Sequence, residues 1–151
     1  MSLAARHNQN KPESDYILTY EGGTQSVFDP DFPYFNTVYV LGMTYRRQMA
    51  MGDLLAALRE DAARNGDDIV QLLAETNTLG AAKYTQGNYL LGANWRQYYQ
   101  SAVRHAQAMQ RDPELDAEGY PHKGNFYFNI LMLCHCMYRS LGVDDRIRAP
   151  K

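Results

Sequence analysis

The run Asn125–Gly142, NFYFNILMLCHCMYRSLG, decides the fold. Aromatic and aliphatic residues fill almost every position, and at about 100° per residue only Asn129, His135, Arg139 and Ser140 form a narrow polar arc. A helix with so little polar circumference must be covered by protein on most sides, which places it at the centre of a helical core. It is too short and too polar at those positions to span a bilayer, a task that takes ~20 apolar residues. The Cys134-His135-Cys136 triplet invites a chemical reading that helix geometry opposes. Residues two apart on a helix diverge by about 200°, so the thiols point to opposite sides and suit neither a metal site within the helix nor an ordinary disulfide. Neither a C-x-x-C pair nor a closely spaced His pair supplies further ligands. The expectation is no metal, no cofactor and two structural cysteines in a reducing compartment. Cys136, nearer the polar arc, is the better candidate for reactivity than Cys134.

Before this helix, Arg111–Gly124, RDPELDAEGYPHKG, reads as a long polar loop rich in turn formers. It carries His122 between Tyr120 and Lys123, so that imidazole, phenol and ammonium could converge at the mouth of a pocket between helices. A clear amphipathic helix precedes the loop. Trp95, Tyr98, Tyr99, Ala102, Val103, Ala106 and Met109 share one stripe, Arg96, Gln97, Gln100, Arg104, His105 and Gln107 lie opposite, and Asn94 can cap with Gln97 reaching back. On this reading His105 is a solvated residue of the polar face. Earlier still, Asp67-Asp68 suits a helix start, with Ile69, Leu72, Leu73, Thr76 and Leu79 continuing toward Tyr84 and Gly87-Asn88 ending it.

Residues 34–65 keep a three-or-four spacing through Phe35, Val38, Gly42, Tyr45, Met49, Gly52 and Ala56, and Asn65-Gly66 supplies a stop. The reading favours one long helix here. Its alternative is a break near Gly52-Asp53, with Asp53 capping a second helix. Toward the N-terminus, Asp29–Pro33 punctuates the chain with two prolines, and YILTY, EGGT and SVF read as two short β-prone segments around a Gly-Gly turn. Residues 1–13 are polar and aperiodic, a flexible arm, and 14–151 form a single helical domain.

Composition narrows the function classes. A net charge of −2 from 15 basic and 17 acidic residues gives no electrostatic footprint for nucleic acid. The N-terminus lacks the apolar segment of a signal peptide, so the protein reads as soluble and cytoplasmic. There is no paired Glu-x-x-His, no G-x-S-x-G and no G-x-G-x-x-G; the glycines of Gly119–Gly124 have Asn125 where a phosphate loop needs lysine. Val38, Leu41, Gly42 and Tyr45 repeat the spacing of the first helix of a tetratricopeptide unit, and Ala106–Glu114 is similar to the end of one. The intervening lengths do not hold that family's roughly 34-residue period.

Twelve tyrosines and five phenylalanines stand against a single tryptophan. Tyrosine couples an apolar body to a hydroxyl in need of a partner, which suits half-buried seams. The expectation is thus a mainly α fold, an irregular bundle of four to five helices with a short N-terminal β-hairpin or extended arm. Its expected role is that of an interaction module, an adaptor, chaperone or accessory subunit that binds a protein partner or self-associates into a homo-oligomer. Tyr16, Tyr20, Phe28, Phe32, Tyr34, Tyr98, Tyr99 and Tyr120 are the candidate contacts, with plain core packing the alternative for Tyr98 and Tyr99. The rival is a small enzyme or ligand-binding protein using His122, Lys123, Tyr120 and Cys136 near the 111–124 loop.

Overall fold

The computed structural model describes residues 24, 27–83, 93–111 and 121–146. Among them run five helices, α1 (Phe35–Tyr45), α2 (Met51–Asn65), α3 (Ile69–Lys83), α4 (Trp95–Arg111) and α5 (His122–Arg139). The fold is mainly α, and a parallel β-bridge joins Asn94 to Val143. No helix among them is long and apolar enough to cross a membrane. The predicted N-terminal hairpin falls outside the described residues except at its end, where the Phe28 N–H bonds the Thr24 carbonyl with helical spacing.

Residues 34–65 form two helices, which corrects the reading of one long helix. The chain turns at Arg46–Ala50, where Arg47 takes a left-handed φ of 63°. Its guanidinium is held 2.9 Å from Asp144, far along the chain. The predicted stripe holds on α1, where Val38, Gly42 and Tyr45 are buried, but on α2 the core face is Leu54, Ala57, Leu58 and Ala62 and the predicted Gly52 is exposed. The break falls before Met51 and not at Gly52-Asp53, so Asp53 sits in the first turn of α2 and reaches back to accept from the Ala50 N–H at 3.0 Å. The Asn65-Gly66 stop is present, with the Asp67 N–H closing on the Ala62 carbonyl at 2.9 Å. Asp68 caps α3 by accepting from the Gln71 N–H at 3.0 Å.

A third carboxylate caps a helix from a different element. Asp61, fully buried on α2, accepts from both the backbone N–H (2.9 Å) and the hydroxyl (2.5 Å) of Thr37 in the first turn of α1. Arg64, one turn on, pairs with its other oxygen. Burial of this carboxylate is offset by charge-assisted hydrogen bonds, which locks the α1–α2 angle.

The helix α5 occupies the centre, packing on α4 along its length and also on α3 and α2. Its Phe126, Tyr127, Ile130 and Leu133 are fully buried. The predicted stripe of α4 faces it, with Tyr98, Tyr99, Ala102, Val103 and Ala106 in the core, and the Tyr99 ring meets the edge of Tyr45 at 4.4 Å between centroids. The C-terminal residues strap the open end of this hairpin. Val143 bonds Ala93 and Trp95 through its backbone, and the Trp95 indole donates to the Leu141 carbonyl at 2.7 Å. Asp145 accepts from the Arg96 N–H at 2.9 Å, a cap for α4 supplied from 49 residues away. Arg146 ties the strap down through Asp144, the Thr44 carbonyl and the Trp95 ring.

Candidate functional site

Helix α5 begins at His122, three residues earlier than the sequence reading placed it. Pro121 lacks an N–H and holds φ at −65°, so it leads into a helix without stranding a donor, and its carbonyl accepts the first helical bond from Asn125. His122, Lys123 and Gly124 therefore form a rigid first turn and not the end of a loop. His122 is only 8% exposed.

The antiparallel α4–α5 hairpin turns His122 onto His105. Their Nδ1 atoms lie 2.8 Å apart, with ring centroids at 5.1 Å. This corrects the view of His105 as a solvated residue. A contact between two Nδ1 atoms requires that one carry the proton and the other accept it. In the neutral pair the donor ring then presents an Nε2 acceptor, and the acceptor ring an Nε2–H. One base and one acid are thus set side by side, the arrangement that proton transfer at a reacting group calls for.

Other buried polar groups continue the seam. Ser101, one turn before His105 on α4, accepts from Arg104 at 2.9 Å. Asn129 lies two turns beyond His122 on α5 and donates to the Asn125 carbonyl at 2.8 Å. Polar groups buried together in a core otherwise filled with aromatic and aliphatic side chains are costly unless satisfied, so such a seam marks a place where chemistry or specificity outweighs simple packing.

Lys123 diverges from His122 toward a different partner. Its Nζ lies 2.9 Å from Asp67 Oδ1, while the Tyr127 hydroxyl donates to Asp67 Oδ2 at 2.6 Å and the Tyr34 hydroxyl donates to the same oxygen. Burial alone would push the Asp67 carboxyl up, but the hydrogen bonds from Tyr127, Tyr34 and Lys123 outweigh it and hold the carboxyl below its ordinary value. Burial and the Asp67 carboxylate push both tyrosine hydroxyls up. A carboxyl depressed in the folded state adds stability that is present above its unfolded value and lost as pH falls through the folded one. Asp67→Asn is therefore expected to cost about 2–4 kcal/mol at pH 7. In urea melts taken at decreasing pH, the gap from wild type should close below about pH 4; a gap independent of pH would refute the role of the charge.

The remaining candidates are placed as follows. Phe28, Phe32, Tyr34, Tyr98 and Tyr99 fill the chain's own core, so these rings are interior and not a presented surface. Tyr16, Tyr20 and Tyr120 lie outside the described residues. Both thiols are buried, Cys134 at 5% and Cys136 at 1% exposure, which reverses the expected order of access. Burial also pushes the Cys134 thiol up to about 12. Cys136 sits fourteen residues beyond His122, about 21 Å along the helix, and shares no site with it. Among the described residues no group of three or more His, Cys, Asp or Glu side chains is placed to hold a metal ion.

His105, Ser101 and Asp67 were passed over in the sequence reading. For His105 a signal existed, since a hairpin between two amphipathic helices returns the start of the second to the end of the first. Residues 68–146 match the protein family described as dATP/dGTP diphosphohydrolase, N-terminal, a region that holds α3, α4, α5, the strap and both histidines. No curated protein and no solved structure matches the chain. With just over half of its 151 residues inside that match, the chain belongs to the dATP/dGTP diphosphohydrolase N-terminal family.

Proposed function

We propose that the chain takes part in hydrolysis of purine deoxynucleoside triphosphates to monophosphate and diphosphate, with His105 and His122 as the proton-transfer pair. The observation that carries this reading is the part-buried 2.8 Å Nδ1–Nδ1 contact, which lies within the region matched to a diphosphohydrolase family. In that reaction water adds across the α–β phosphoanhydride, its hydroxyl to one phosphoryl group and its proton to the departing oxygen. The Nε2 acceptor of one ring takes the proton from water, the Nε2–H of the other supplies one to the leaving phosphate, and the shared proton crosses between the two Nδ1 atoms, so both rings end neutral with their tautomers exchanged. Arg104, next to His105 and held by Ser101, has the charge to meet a phosphate. This reading places the function nearer to the enzyme that His122 first pointed to than to an adaptor.

The test is release of diphosphate from dATP and dGTP, with dCTP and dTTP for comparison, with and without a divalent cation. His105→Asn and His122→Asn are each expected to lower kcat by about 10²–10⁴-fold while the protein stays folded by circular dichroism. Turnover unchanged in both variants would end the assignment.

A second reading, an interaction module or accessory subunit of a homo-oligomer, now draws support from Val70 and Tyr138, 78% and 72% exposed, and no longer from the buried rings. Native mass spectrometry separates the two: an oligomer without nucleotide turnover favours association, whereas a monomer that releases diphosphate favours the enzyme.

A further inference from the structure

We infer that Asp67 is a positioning residue for the His105–His122 pair, holding the first turn of α5 from outside the family-matched region. The inference rests on the proton-transfer reading above, but its geometry stands separately. Asp67 follows the α2 stop and precedes the Asp68 cap of α3, so its backbone is fixed between two helix ends. Its side chain is 5% exposed and engages α5 at two points one turn apart, Lys123 at 2.9 Å and Tyr127 at 2.6 Å. Tyr34, just before α1, donates to the same carboxylate. The Tyr34 ring also packs edge-on against Phe126 and Tyr127, at 5.6 and 6.0 Å between centroids.

Two anchors four residues apart fix both the rotation and the axial position of a helix, because the first sets the phase and the second prevents a pivot about it. His122 directly precedes Lys123 and points to α4, not toward Asp67. Its distance from His105 therefore depends on the rotation of α5, which the two Asp67 contacts help to hold. A rotation of α5 by one residue's worth of phase, about 100°, would carry His122 out of the seam, and much smaller turns lengthen an Nδ1–Nδ1 contact beyond hydrogen bonding. The segment Tyr34–Asp67, outside the matched region, thereby acts on the reaction without touching the substrate.

The test uses the full chain labelled with ¹⁵N at histidine, comparing wild type with Asp67→Asn and Lys123→Met at low temperature, where the less stable variant remains folded. Wild type is expected to show a strongly downfield proton shared between the two Nδ1 atoms. In Asp67→Asn this signal should vanish, the Nδ1 shifts of both rings should move, and kcat for dATP or dGTP should fall roughly ten- to hundredfold with KM little changed. Lys123→Met, which keeps both tyrosine bonds, should show the same change in smaller measure at a melting temperature near that of wild type. If Asp67→Asn fails to fold, Lys123→Met alone decides. Imidazole signals and kcat unchanged in a folded variant that has only lost stability would overturn the positioning role. Absence of nucleotide turnover in wild type would defeat the proposed function alone, since the imidazole spectra still report whether Asp67 sets the pair.

Discussion

Gly142→Ala is expected to be the most damaging single-methyl change in the described structure, at about 3–5 kcal/mol. Gly142 has φ +70°, where an L side chain is strained, and an added Cβ would strike the Ala93 carbonyl oxygen and come within 2.9 Å of the Ala93 nitrogen and 3.0 Å of its carbonyl carbon. All three are backbone atoms and have no rotamer to yield. Relief requires the strap to lift, which breaks the Val143–Ala93 and Trp95–Val143 backbone bonds and the indole bond to Leu141. A loss of that size is a large part of the ~5–15 kcal/mol that holds a domain of this kind together. Chemical denaturation of the variant measures it directly. A cost below about 1 kcal/mol would mean that the strap contributes little, and that α4 is stable without its cap from Asp145.

The second large effect concerns the approach of α3 to α5. A Cβ on Gly124 would collide with the Thr76 hydroxyl and lie 3.3 Å from the Leu72 carbonyl oxygen. Thr76 cannot swing aside without cost, because its hydroxyl donates to that same carbonyl at 2.8 Å. Gly124→Ala is therefore expected to destabilise by about 1–3 kcal/mol, even though alanine is the better helix former by ~1 kcal/mol. In a Thr76→Ala background the collision with the hydroxyl is removed and the remaining Cβ sits at an ordinary 3.5 Å, which leaves only the 3.3 Å approach to the Leu72 carbonyl oxygen. There the glycine substitution should be neutral or stabilising, with a coupling energy of about 2 kcal/mol in the double-mutant cycle. Additive costs would show that the close approach is not what requires glycine. Because Gly124 is two residues from His122, the single variant should also lose nucleotide turnover in proportion to the shift of α5, and the double variant should regain it.

Both glycines illustrate how function was only partly legible beforehand. The helices could be read from the chain because their signals are local: the stripe from Trp95 to Met109, the Asp68 cap and the Asn65-Gly66 stop each lie within a few residues of what they govern. The break at Arg47 could not, since an arginine carries no intrinsic preference for a left-handed φ and is held there by Asp144, 97 residues away. The start of α5 was misplaced because the turn-forming residues that precede it run without interruption into Pro121, which can end a loop or open a helix equally well.

The same division applies to the site. Sequence alone determined that the chain is mainly helical around an apolar central helix and that the two thiols of its Cys-His-Cys triplet point to different sides of that helix, because helix period and side-chain direction follow from residue order. Tertiary structure decided that His105 meets His122, that Asp67 collects Tyr34, Lys123 and Tyr127, and that Phe28, Phe32, Tyr34, Tyr98 and Tyr99 fill the chain's own core. Those outcomes depend on the relative rotation and depth of packed helices. That phase is a collective result of every contact in the core, and no single segment encodes it.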